Sequence, residues 1–360
     1  MSQASQATLG SRVRQLSRAI HSAYSDEDSW SRFQKFLNLA FGPPINSYYD
    51  LTLGPSSRQP LTWSQEYFLQ VLPKLLKEGH LPERVLGLGY FFGYPFALGE
   101  ACLIPRPDSE LLVAEALAFL KDKIEQRLGS SPSPSRQQII QPPPSGLPFP
   151  PPLLHIRVID ACVGSGCLGI SLIRALLDWI ADKEQSQLFQ ASRTADKPSL
   201  FTLRIDLWGF DQDPSCVSYA KANAAYLIED SPSGGVKADV RTHFFVGDLF
   251  DQAGLLAQLG HDQGTVEAFD VFLANPPYIS RDELDEDGEV LLNDPRSALE
   301  ADEGGLACYP PLLDLAKTIL DHPGLALFEH GWTQGDQVLN LAQEHWADQV
   351  NTKMAGLQDL

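Results

Sequence analysis

The stretch Phe269-Asp-Val-Phe-Leu-Ala-Asn-Pro-Pro-Tyr278 decides the fold, because it joins a short apolar run to a rigid polar turn. The run at 269–274 lacks the apolar–polar alternation of a half-exposed strand, which is typical of a strand buried in a parallel sheet. Two consecutive prolines fix φ and remove two N–H donors, so the chain leaves the sheet abruptly with free carbonyl groups. The stretch predicts a parallel sheet with a site at the carboxyl end of this strand.

The turn Asn275-Pro276-Pro277-Tyr278 carries groups suited to a planar NH2-bearing substrate. Asn275 supplies a side-chain acceptor and donors, and Tyr278 supplies a flat aromatic face. An amide or exocyclic amine could be hydrogen-bonded at its edge and stacked on its face. The alternative is a rigid turn in which Asn275 has only a structural role.

Strand-like and helix-like segments alternate around this turn, which predicts an α/β fold with a parallel sheet and helices on both faces. The predicted strands lie at 155–160, 207–211, 240–246, 269–274 and 324–329, and the predicted helices at 168–181 and 215–227. Three polar or Gly- and Ser-rich stretches are interpreted as surface insertions, at 184–199, 229–239 and 251–266.

Three loops that follow the predicted strands carry candidate ligands for a cofactor. The loop Cys162–Gly166 leads into a helix, so its glycines allow close approach and the helix N-terminus attracts an anionic group. Asp211, at the tip of the second strand, is placed to accept the hydroxyl groups of a ribose. Asp248 could bind an adenine amine while Leu249 or Phe250 packs on the ring. Helix N-caps are the alternative for both aspartates.

Composition limits the class of protein. The 360 residues are 43% hydrophobic and 20% charged, which predicts a globular protein of two domains with a substantial core. A net charge of −19 repels phosphate backbones, so we expect no direct nucleic-acid partner. The five cysteines form no CxxC pair, which indicates neither a disulfide framework nor a metal site. No apolar run approaches the roughly 18 residues that a membrane span needs, so we expect a soluble protein without a membrane partner.

Taken in chain order, the four loops resemble those of the class I S-adenosylmethionine-dependent methyltransferases. Members that act on a planar nitrogen carry Asn-Pro-Pro-Tyr or a close variant after the fourth strand. Four further segments make the chain similar to the HemK/PrmC family of release factor glutamine methyltransferases, over about residues 88–345. These segments are Phe92–Phe96, Leu103–Glu110, Asp294–Leu299 running into Gly304–Leu306, and Phe328–Gly331 preceding Gln334–Gly335.

This resemblance implies a Rossmann-like fold and transfer of a methyl group from S-adenosylmethionine to a peptide chain release factor. The acceptor would be the side-chain amide nitrogen of the glutamine in the Gly-Gly-Gln tip, and the reaction would support translation termination. The implied catalytic residues are Asn275, Pro276 and Tyr278, and these three with Pro277 would bind the substrate. The implied cofactor-binding residues are Cys162, Val163, Gly164, Ser165, Gly166, Asp211, Asp248, Leu249 and Asn275.

The resemblance also places several charged residues near the site. Arg106 and Glu110 would lie in a loop at the active-site mouth and Arg296 at the same rim. For Arg106 and Glu110 the alternative is a structural ion pair and a helix cap. We interpret Glu329 as a structural acid. Two positions depart from the family pattern, since Cys162 replaces a common glycine and Asp294 stands where a glutamate is usual.

The rest of the chain is predicted as follows. Residues 1–25 are rich in Arg and Ser and contain no acid, which is typical of a mitochondrial transit segment; an ordinary basic first helix is the alternative. Helical periodicity at 29–41 and 62–78 predicts a helical domain, and the proline-rich stretch 129–152 predicts a disordered insertion. The predicted order is a transit segment at 1–25, a helical substrate-binding domain at 26–87, a hairpin and the Leu103–Glu110 segment within 88–128, the insertion at 129–152 and the catalytic domain at 153–360.

Other expectations concern partners and alternative functions. We expect a mitochondrial monomer, with the cytoplasm as the alternative location. Family members normally continue beyond the point where this chain stops, so a truncated sheet is a further expectation. An N-methyltransferase acting on adenine N6 or guanine N2 of DNA or RNA would share these loops but should show a basic face. A non-catalytic binding protein would be expected to have lost Asn275 or the loop glycines.

Overall fold

The computed structural model describes residues 80–129, 153–185, 202–229, 238–260, 268–286 and 293–347, with residues 8, 58 and 60. The predicted helices at 29–41 and 62–78 lie outside the described residues, as do almost all of the predicted transit segment and the 129–152 insertion and the last part of the chain. The chain divides into two compact units, Met1–Tyr90 with Asp287–Asn293, and Phe91–Glu286 with Asp294–Leu360. In the first unit, Leu81 N donates a hydrogen bond of 2.7 Å to Asn293 Oδ1 just before a short helix.

The described elements alternate as the sequence predicts. In chain order they are α1 (Pro82–Leu86), β1 (Leu88–Phe91), β2 (Tyr94–Ala97), α2 (Glu110–Gly129), β3 (Leu153–Ala161), α3 (Cys167–Gln185), β4 (Thr202–Asp211), α4 (Pro214–Ala224), β5 (Ala238–Val246), α5 (Gln252–Gln258), β6 (Phe269–Ala274), α6 (Arg281–Glu286), α7 (Tyr309–Ile319), β7 (Leu320–Phe328) and α8 (Gly335–His345). Shorter helical turns occupy Pro107–Ser109, Ala225–Glu229, Arg296–Ala298 and Asp302–Gly305. β1 and β2 form a small two-stranded sheet.

The main sheet has five parallel strands in the order β5-β4-β3-β6-β7. The chain builds outward from β3 through β4 to β5, and then continues on the other side of β3 with β6 and β7. The order therefore reverses between β3 and β6, and in open α/β sheets ligands bind at such a switch point beyond the carboxyl ends of the strands. This topology confirms the predicted Rossmann-like α/β fold.

Helices cover the sheet on opposite faces. Ile159 and Ala161 of β3 pack in one core cluster with residues of α5 and α7. Asp160 lies between them in the strand and points the other way, because Gly169 N of α3 donates to its Oδ2 over 2.8 Å. All six residues of β6 are buried, as its position in the sheet requires. No helix in the described part of the chain is long and apolar enough to cross a membrane.

The structure corrects the interpretation of 251–266 as a surface insertion. Residues 252–258 form α5, whose Leu255 is buried together with the following Leu259. Asp251 begins this helix by accepting a hydrogen bond from Gly254 N. A helix of seven residues has too few turns to show an apolar period in sequence, which is why the pattern was missed.

Every strand of the main sheet except β6 begins earlier than predicted, β3 and β5 by only two residues. β4 starts at Thr202 instead of 207, and β7 at Leu320 instead of 324. The missed part of β4 contains a buried Asp206, whose carboxyl group is 2.6 Å from His155 Nε2 and 2.9 Å from Arg204 Nη2. A charged residue in a sequence argues against a buried strand. Here the His155 and Arg204 side chains compensate the buried carboxyl group of Asp206.

Candidate active site

The loops that follow β3 and β6 meet at the switch point of the sheet. Ala161 and Ala274, the last residues of these strands, are partners in the parallel register. The loop Cys162–Gly166 and the turn Asn275–Tyr278 therefore start side by side at the same edge. Two segments predicted to hold different groups, one a cofactor and one a substrate, thus open toward a common space.

A cavity lies at this edge of the sheet, and its walls come from six segments of the chain. The lining residues predicted as site residues are Cys162, Gly164, Asp211, Asp248, Leu249, Asn275 and Pro277. Val163, Ser165, Gly166, Pro276 and Tyr278 are not among the lining residues. Val163 and Ser165 belong to the loop Cys162–Gly166 but are buried, with 3% and 2% exposure, so they support its shape.

Positive φ angles shape the loop after β3. They occur at Cys162 (58°), Gly164 (53°) and Gly166 (81°). At Gly166 a Cβ atom would lie only 2.5 Å from Ile170 Cδ1, so a side chain there would add to the strain of the positive φ and displace the end of Ile170. At Gly164 a Cβ atom would meet nothing closer than 4.0 Å, since this glycine borders the cavity. Cys162 adopts a left-handed conformation that glycine adopts without strain, which agrees with its departure from the family pattern.

Asp211 organises the loop as well as lining the cavity. Its Oδ2 accepts a hydrogen bond from Gly164 N (2.9 Å) and its Oδ1 accepts one from Asp213 N (3.0 Å). Burial raises the pKa of Asp211, and these backbone donors oppose the rise. The helix-cap alternative is wrong for this residue, because the N-cap of α4 is Asp213, which accepts from Ser215 N.

After β5, too, the helix N-cap lies a few residues beyond the aspartate that was predicted as a ligand. Asp248 accepts a hydrogen bond from Phe250 N over 2.9 Å, whereas the N-cap of α5 is Asp251. Asp248 is exposed at the cavity wall, Leu249 is buried beneath it, and Phe250 is 63% exposed. A carboxylate edge next to an exposed aromatic ring suits a planar base.

The turn after β6 is fixed by contacts on both sides of Tyr278. The next residue, Ile279, pairs with the segment 299–301 through Ile279 N–Leu299 O (2.8 Å) and Ala301 N–Ile279 O (2.9 Å). The carbonyl oxygen of Tyr278 accepts from Gln334 Nε2 over 2.8 Å. The Tyr278 hydroxyl donates to Glu329 Oε1 over 3.2 Å. The turn is therefore held rigidly before any ligand binds.

The segment Leu103–Glu110 reaches this turn through Ser109. Ser109 is 1% exposed and its Oγ accepts a hydrogen bond of 3.2 Å from Asn275 Nδ2. The segment is anchored at its other end by Asp294, which accepts from Ile104 N (2.8 Å) and from Arg106 Nη2 (2.5 Å). The most family-specific string of the sequence therefore buttresses the substrate turn.

The charged residues at the rim have separate partners. Arg106 pairs with Asp294, while Glu110 Oε1 accepts from Phe92 N over 2.7 Å. Arg106 and Glu110 therefore do not pair with each other, and the ion pair predicted as the alternative is wrong. Arg296 is bonded to Asp285 and Glu300, of which only Glu300 lines the cavity.

Two buried amides support the site; sequence reasoning missed Asn223, and it gave Gln334 no role beyond its place in a family segment. Asn223 of α4 donates to Ser165 O (2.9 Å) and exchanges hydrogen bonds with the backbone of Ala97. Gln334 accepts from Gly331 N and donates to the carbonyl of Tyr278. Both are less than 6% exposed. A polar residue on an otherwise apolar helix face is the signal that could have found Asn223.

The chemistry of the cavity fits S-adenosylmethionine. Five carboxylates line the cavity and favour a cation such as a sulfonium and a sugar that donates hydrogen bonds. They belong to Asp211, Asp213, Asp248, Glu300 and Asp302. Apolar atoms of Leu103, Phe210 and Leu249 also face it, as a purine or thioether requires. The open space above Gly164 admits a ligand against the backbone.

Comparison with known proteins identifies several relatives among the methyltransferases. No family model matches the chain. The release factor glutamine methyltransferase of Haemophilus influenzae is 27% identical over 264 residues, which cover 73% of this chain and 68% of the relative. That of Salmonella typhimurium is 27% identical over 280 residues, covering 78% and 73%. The chain is a relative of the release factor glutamine methyltransferases.

A bifunctional methyltransferase of Rickettsia bellii is also similar, at 26% identity over 308 residues, or 84% of this chain and 45% of the relative. The resemblance to release factor glutamine methyltransferases predicted from Leu103–Glu110 and Asn275–Tyr278 is thereby confirmed. The mitochondrial type of this family stays a prediction, as do the roles assigned to individual site residues.

Proposed function

We propose that the protein transfers a methyl group from S-adenosylmethionine to the side-chain amide nitrogen of a glutamine in a peptide chain release factor. The observation that carries the proposal is the position of Asn275 on the wall of the cavity that Cys162, Gly164 and Asp211 also line. An amide-recognising side chain and a cofactor loop thus face one space. Relatives that are named release factor glutamine methyltransferases support the choice of acceptor. We further propose that the acceptor glutamine lies in the Gly-Gly-Gln tip.

Positioning supplies most of the help that this reaction needs. An amide nitrogen is a poor nucleophile because its lone pair is delocalised, so the enzyme gains most by holding it in line for attack. In this proposal Asn275 Oδ1 and the Pro276 carbonyl accept the two amide hydrogens, and Tyr278 packs on the amide plane. The hydrogen bond from Asn275 Nδ2 to Ser109 Oγ supports this orientation.

Bound S-adenosylmethionine supplies an electrophilic methyl group on a sulfonium. The residues proposed to hold it are Asp211 for the ribose, Asp248 and Leu249 for the adenine, and the loop Cys162–Gly166 for the methionine end. As the amide nitrogen gains positive charge, Asn275 and Pro276 stabilise it through their oxygen acceptors. The amide proton is strongly acidic once the nitrogen is cationic, so it can leave without a dedicated base.

A transfer assay with labelled S-adenosylmethionine tests the proposal. Its two substrates are a purified release factor and the same factor with its tip Gln replaced by Ala. We expect label on the first factor only. Asn275→Ala should lower transfer by about 100-fold or more, the loss typical for a charge-stabilising group, while the variant stays folded. Label on both factors would contradict the proposed acceptor.

Methylation of a nucleobase is the competing outcome, and the same assay with added RNA and DNA distinguishes it. The net charge of −19 favours the protein acceptor, because a basic face normally accompanies nucleic-acid binding. Label that appears only in nucleic acid would replace the proposal with this second function.

We also propose a mitochondrial location, for which residues 1–25 provide the support through their Arg and Ser and their lack of acid. Fusion of residues 1–25 to a fluorescent protein is expected to direct it to mitochondria. A fusion with Arg12, Arg14 and Arg18 replaced by Gln is the matched control. Cytoplasmic fluorescence of both fusions would favour the alternative location.

A further inference from the structure

Glu329 occupies a special place beside the substrate turn. It follows β7 directly, and its backbone N donates to Ala274 O over 2.9 Å, so it lies next to the start of the turn after β6. Its side chain is partly buried, and its Oε1 accepts the hydroxyl of Tyr278 over 3.2 Å. Neither a nucleophile nor a base is needed in the proposed reaction, which leaves the purpose of this carboxyl group open.

The orientation of Asn275 depends on what its amide faces. The Glu329 carboxyl group accepts from Tyr278 through Oε1, whereas its Oε2 is buried without a hydrogen-bond partner and is open to a donor. Burial raises the pKa of Glu329, and the polar side chains of Ser109, Tyr278 and Asn275 oppose that rise. Ala274 and Phe328 are register partners, so the next residues, Asn275 and Glu329, are adjacent at the ends of β6 and β7. An ionised carboxyl group only accepts hydrogen bonds, so it favours the NH2 group of an amide beside it. The same NH2 group donates to Ser109 Oγ. Oδ1 is consequently directed to the opposite side of the amide.

We infer that Glu329 is a positioning residue, which holds the NH2 group of Asn275 inward and so directs Asn275 Oδ1 toward the amide hydrogens of the substrate. The inference rests on the proposed function, since an acceptor at Asn275 is required only if the substrate presents an NH2 group. With the carboxylate removed, the Asn275 amide can turn over. Its NH2 group would then oppose the substrate NH2 group, donor against donor, and the hydrogen bond would be lost.

Other titratable groups around Glu329 do not provide this constraint. The hydroxyl of Tyr309 donates to the backbone oxygen of Glu329 over 3.0 Å. Burial raises the pKa of Tyr278, Tyr309 and Cys167, so all three stay neutral near pH 7. Asp108 adds negative charge that raises the pKa of Glu329 further. Protonation of Glu329 would create a donor and permit the turned-over Asn275, so activity should decline as the pH falls toward this raised pKa.

Kinetics of Glu329→Gln and Glu329→Ala test the role. Glutamine keeps the size of the side chain, but its own amide can donate or accept, so it no longer selects one orientation of Asn275. We expect kcat to fall by about tenfold or more in both variants, the effect of one lost hydrogen bond in the transition state. The KM for S-adenosylmethionine should change by less than about twofold. The matched control is Glu344→Gln, an exposed residue of α8, which should behave as wild type.

A nuclear magnetic resonance measurement tests the same role without activity. The side-chain NH2 signals of Asn275 are assigned by their loss in Asn275→Asp. In the wild type we expect their exchange with water to be slow, and in Glu329→Ala about tenfold faster or more, since the neighbouring carboxylate that attracts the NH2 group is missing. Unchanged signals in Glu329→Ala would overturn the role of Glu329, even if activity is lost. A wild-type enzyme that is inactive on the release factor would instead contradict the proposed function.

Discussion

The carboxyl group of Asp160 shows how one residue couples this site to stability. Asp160 is 1% exposed at the end of β3, where it accepts a hydrogen bond from Gly169 N. Burial raises its pKa from 3.8 to about 8, and the nearby Asp211 adds to the rise. Between these two values the folded protein keeps a proton that the unfolded chain has lost. Stability must therefore decrease as the pH rises through this window.

Asp160→Asn should abolish that dependence, because an amide of the same shape does not titrate. For the apo protein we expect the free energy of unfolding of wild type, relative to the variant, to fall between pH 5 and pH 8 by up to about 1.4 kcal/mol for each pH unit. Urea unfolding at several pH values measures it. The matched control is Asp182→Asn, an exposed residue of α3, which should keep the wild-type slope. An equal slope in all three proteins would refute a raised pKa for Asp160.

At single residues, sequence reasoning reached the loops but not the contacts within them. Asp211 and Asp248 could be located at strand ends because parallel strands place their carboxyl ends at one edge. Whether each aspartate binds a ligand or caps a helix depends on the conformation of the turn that follows it. In the structure these turns place the helix caps at Asp213 and Asp251. The contact of Ser109 could not be predicted, since a serine in a loop gives no sign of a partner at Asn275, 166 positions away.

Among the elements, the turn Asp302–Gly305 sets the position of the substrate turn. Gly305 has φ of 86°, and a Cβ atom there would lie 2.1 Å from Tyr278 O and 2.5 Å from Gln334 Nε2. Gly304 has φ of 66°, but a Cβ atom there would meet nothing within 4 Å. The two neighbours thus share the left-handed backbone and differ only in the space above it.

Gly305→Ala should therefore displace Tyr278, whereas Gly304→Ala should not. Both substitutions introduce left-handed strain of about 1–2 kcal/mol, and Gly305→Ala adds the clash with the Tyr278 carbonyl. We expect transfer activity to fall by about tenfold or more only in Gly305→Ala, because a small misplacement of the reacting group is costly. Steady-state kinetics and thermal unfolding of the two variants compare these effects. Similar activity in both would show that Tyr278 tolerates movement.

A second element-level prediction concerns the anchor of the segment Leu103–Glu110. Asp294 is 3% exposed, and Asp294→Ala would leave Ile104 N buried without its acceptor. We expect a loss of about 1–3 kcal/mol in unfolding free energy and lower activity, since Ser109 belongs to this segment. Asp285→Ala is the control, because its side chain is 59% exposed in an ion pair with Arg296, and such pairs contribute less than about 1 kcal/mol. Equal losses in urea unfolding would contradict an anchoring role.

The sequence predicted elements well wherever an apolar run exceeded the length of one turn. The strand at 269–274 was predicted with the bounds that the structure has, because its burial on both faces leaves no ambiguous end residues. β4, β7 and the short helix α5 were predicted less well. Their ends contain charged or exposed residues whose partners, such as His155 for Asp206, come from other parts of the chain.

For the whole molecule, a buried ion pair connects α2 to the centre of the sheet. Lys123 Nζ lies 2.5 Å from Asp270 Oδ1 of β6, with side-chain exposures of 9% and 6%. The Lys123 ammonium also donates to Pro323 O over 3.0 Å, and Asp270 Oδ2 accepts from Arg157 N over 2.7 Å. Because these partners belong to α2, β3, β6 and β7, the pair joins elements that are distant in sequence.

Lys123→Met should destabilise the entire α/β fold without touching the site. Removal of the ammonium leaves the carboxylate of Asp270 buried without its cation. Such a loss typically lowers the free energy of unfolding by about 3–5 kcal/mol. The matched control is Lys121→Met on the same helix, whose ammonium lies 5.7 Å from the Trp179 ring at a partly exposed position. That change should cost less than about 1 kcal/mol. Urea unfolding distinguishes the two, and because the pair lies away from the cavity, each folded variant should keep the wild-type affinity for S-adenosylmethionine. Equal stability of both variants would show that water or another group compensates Asp270.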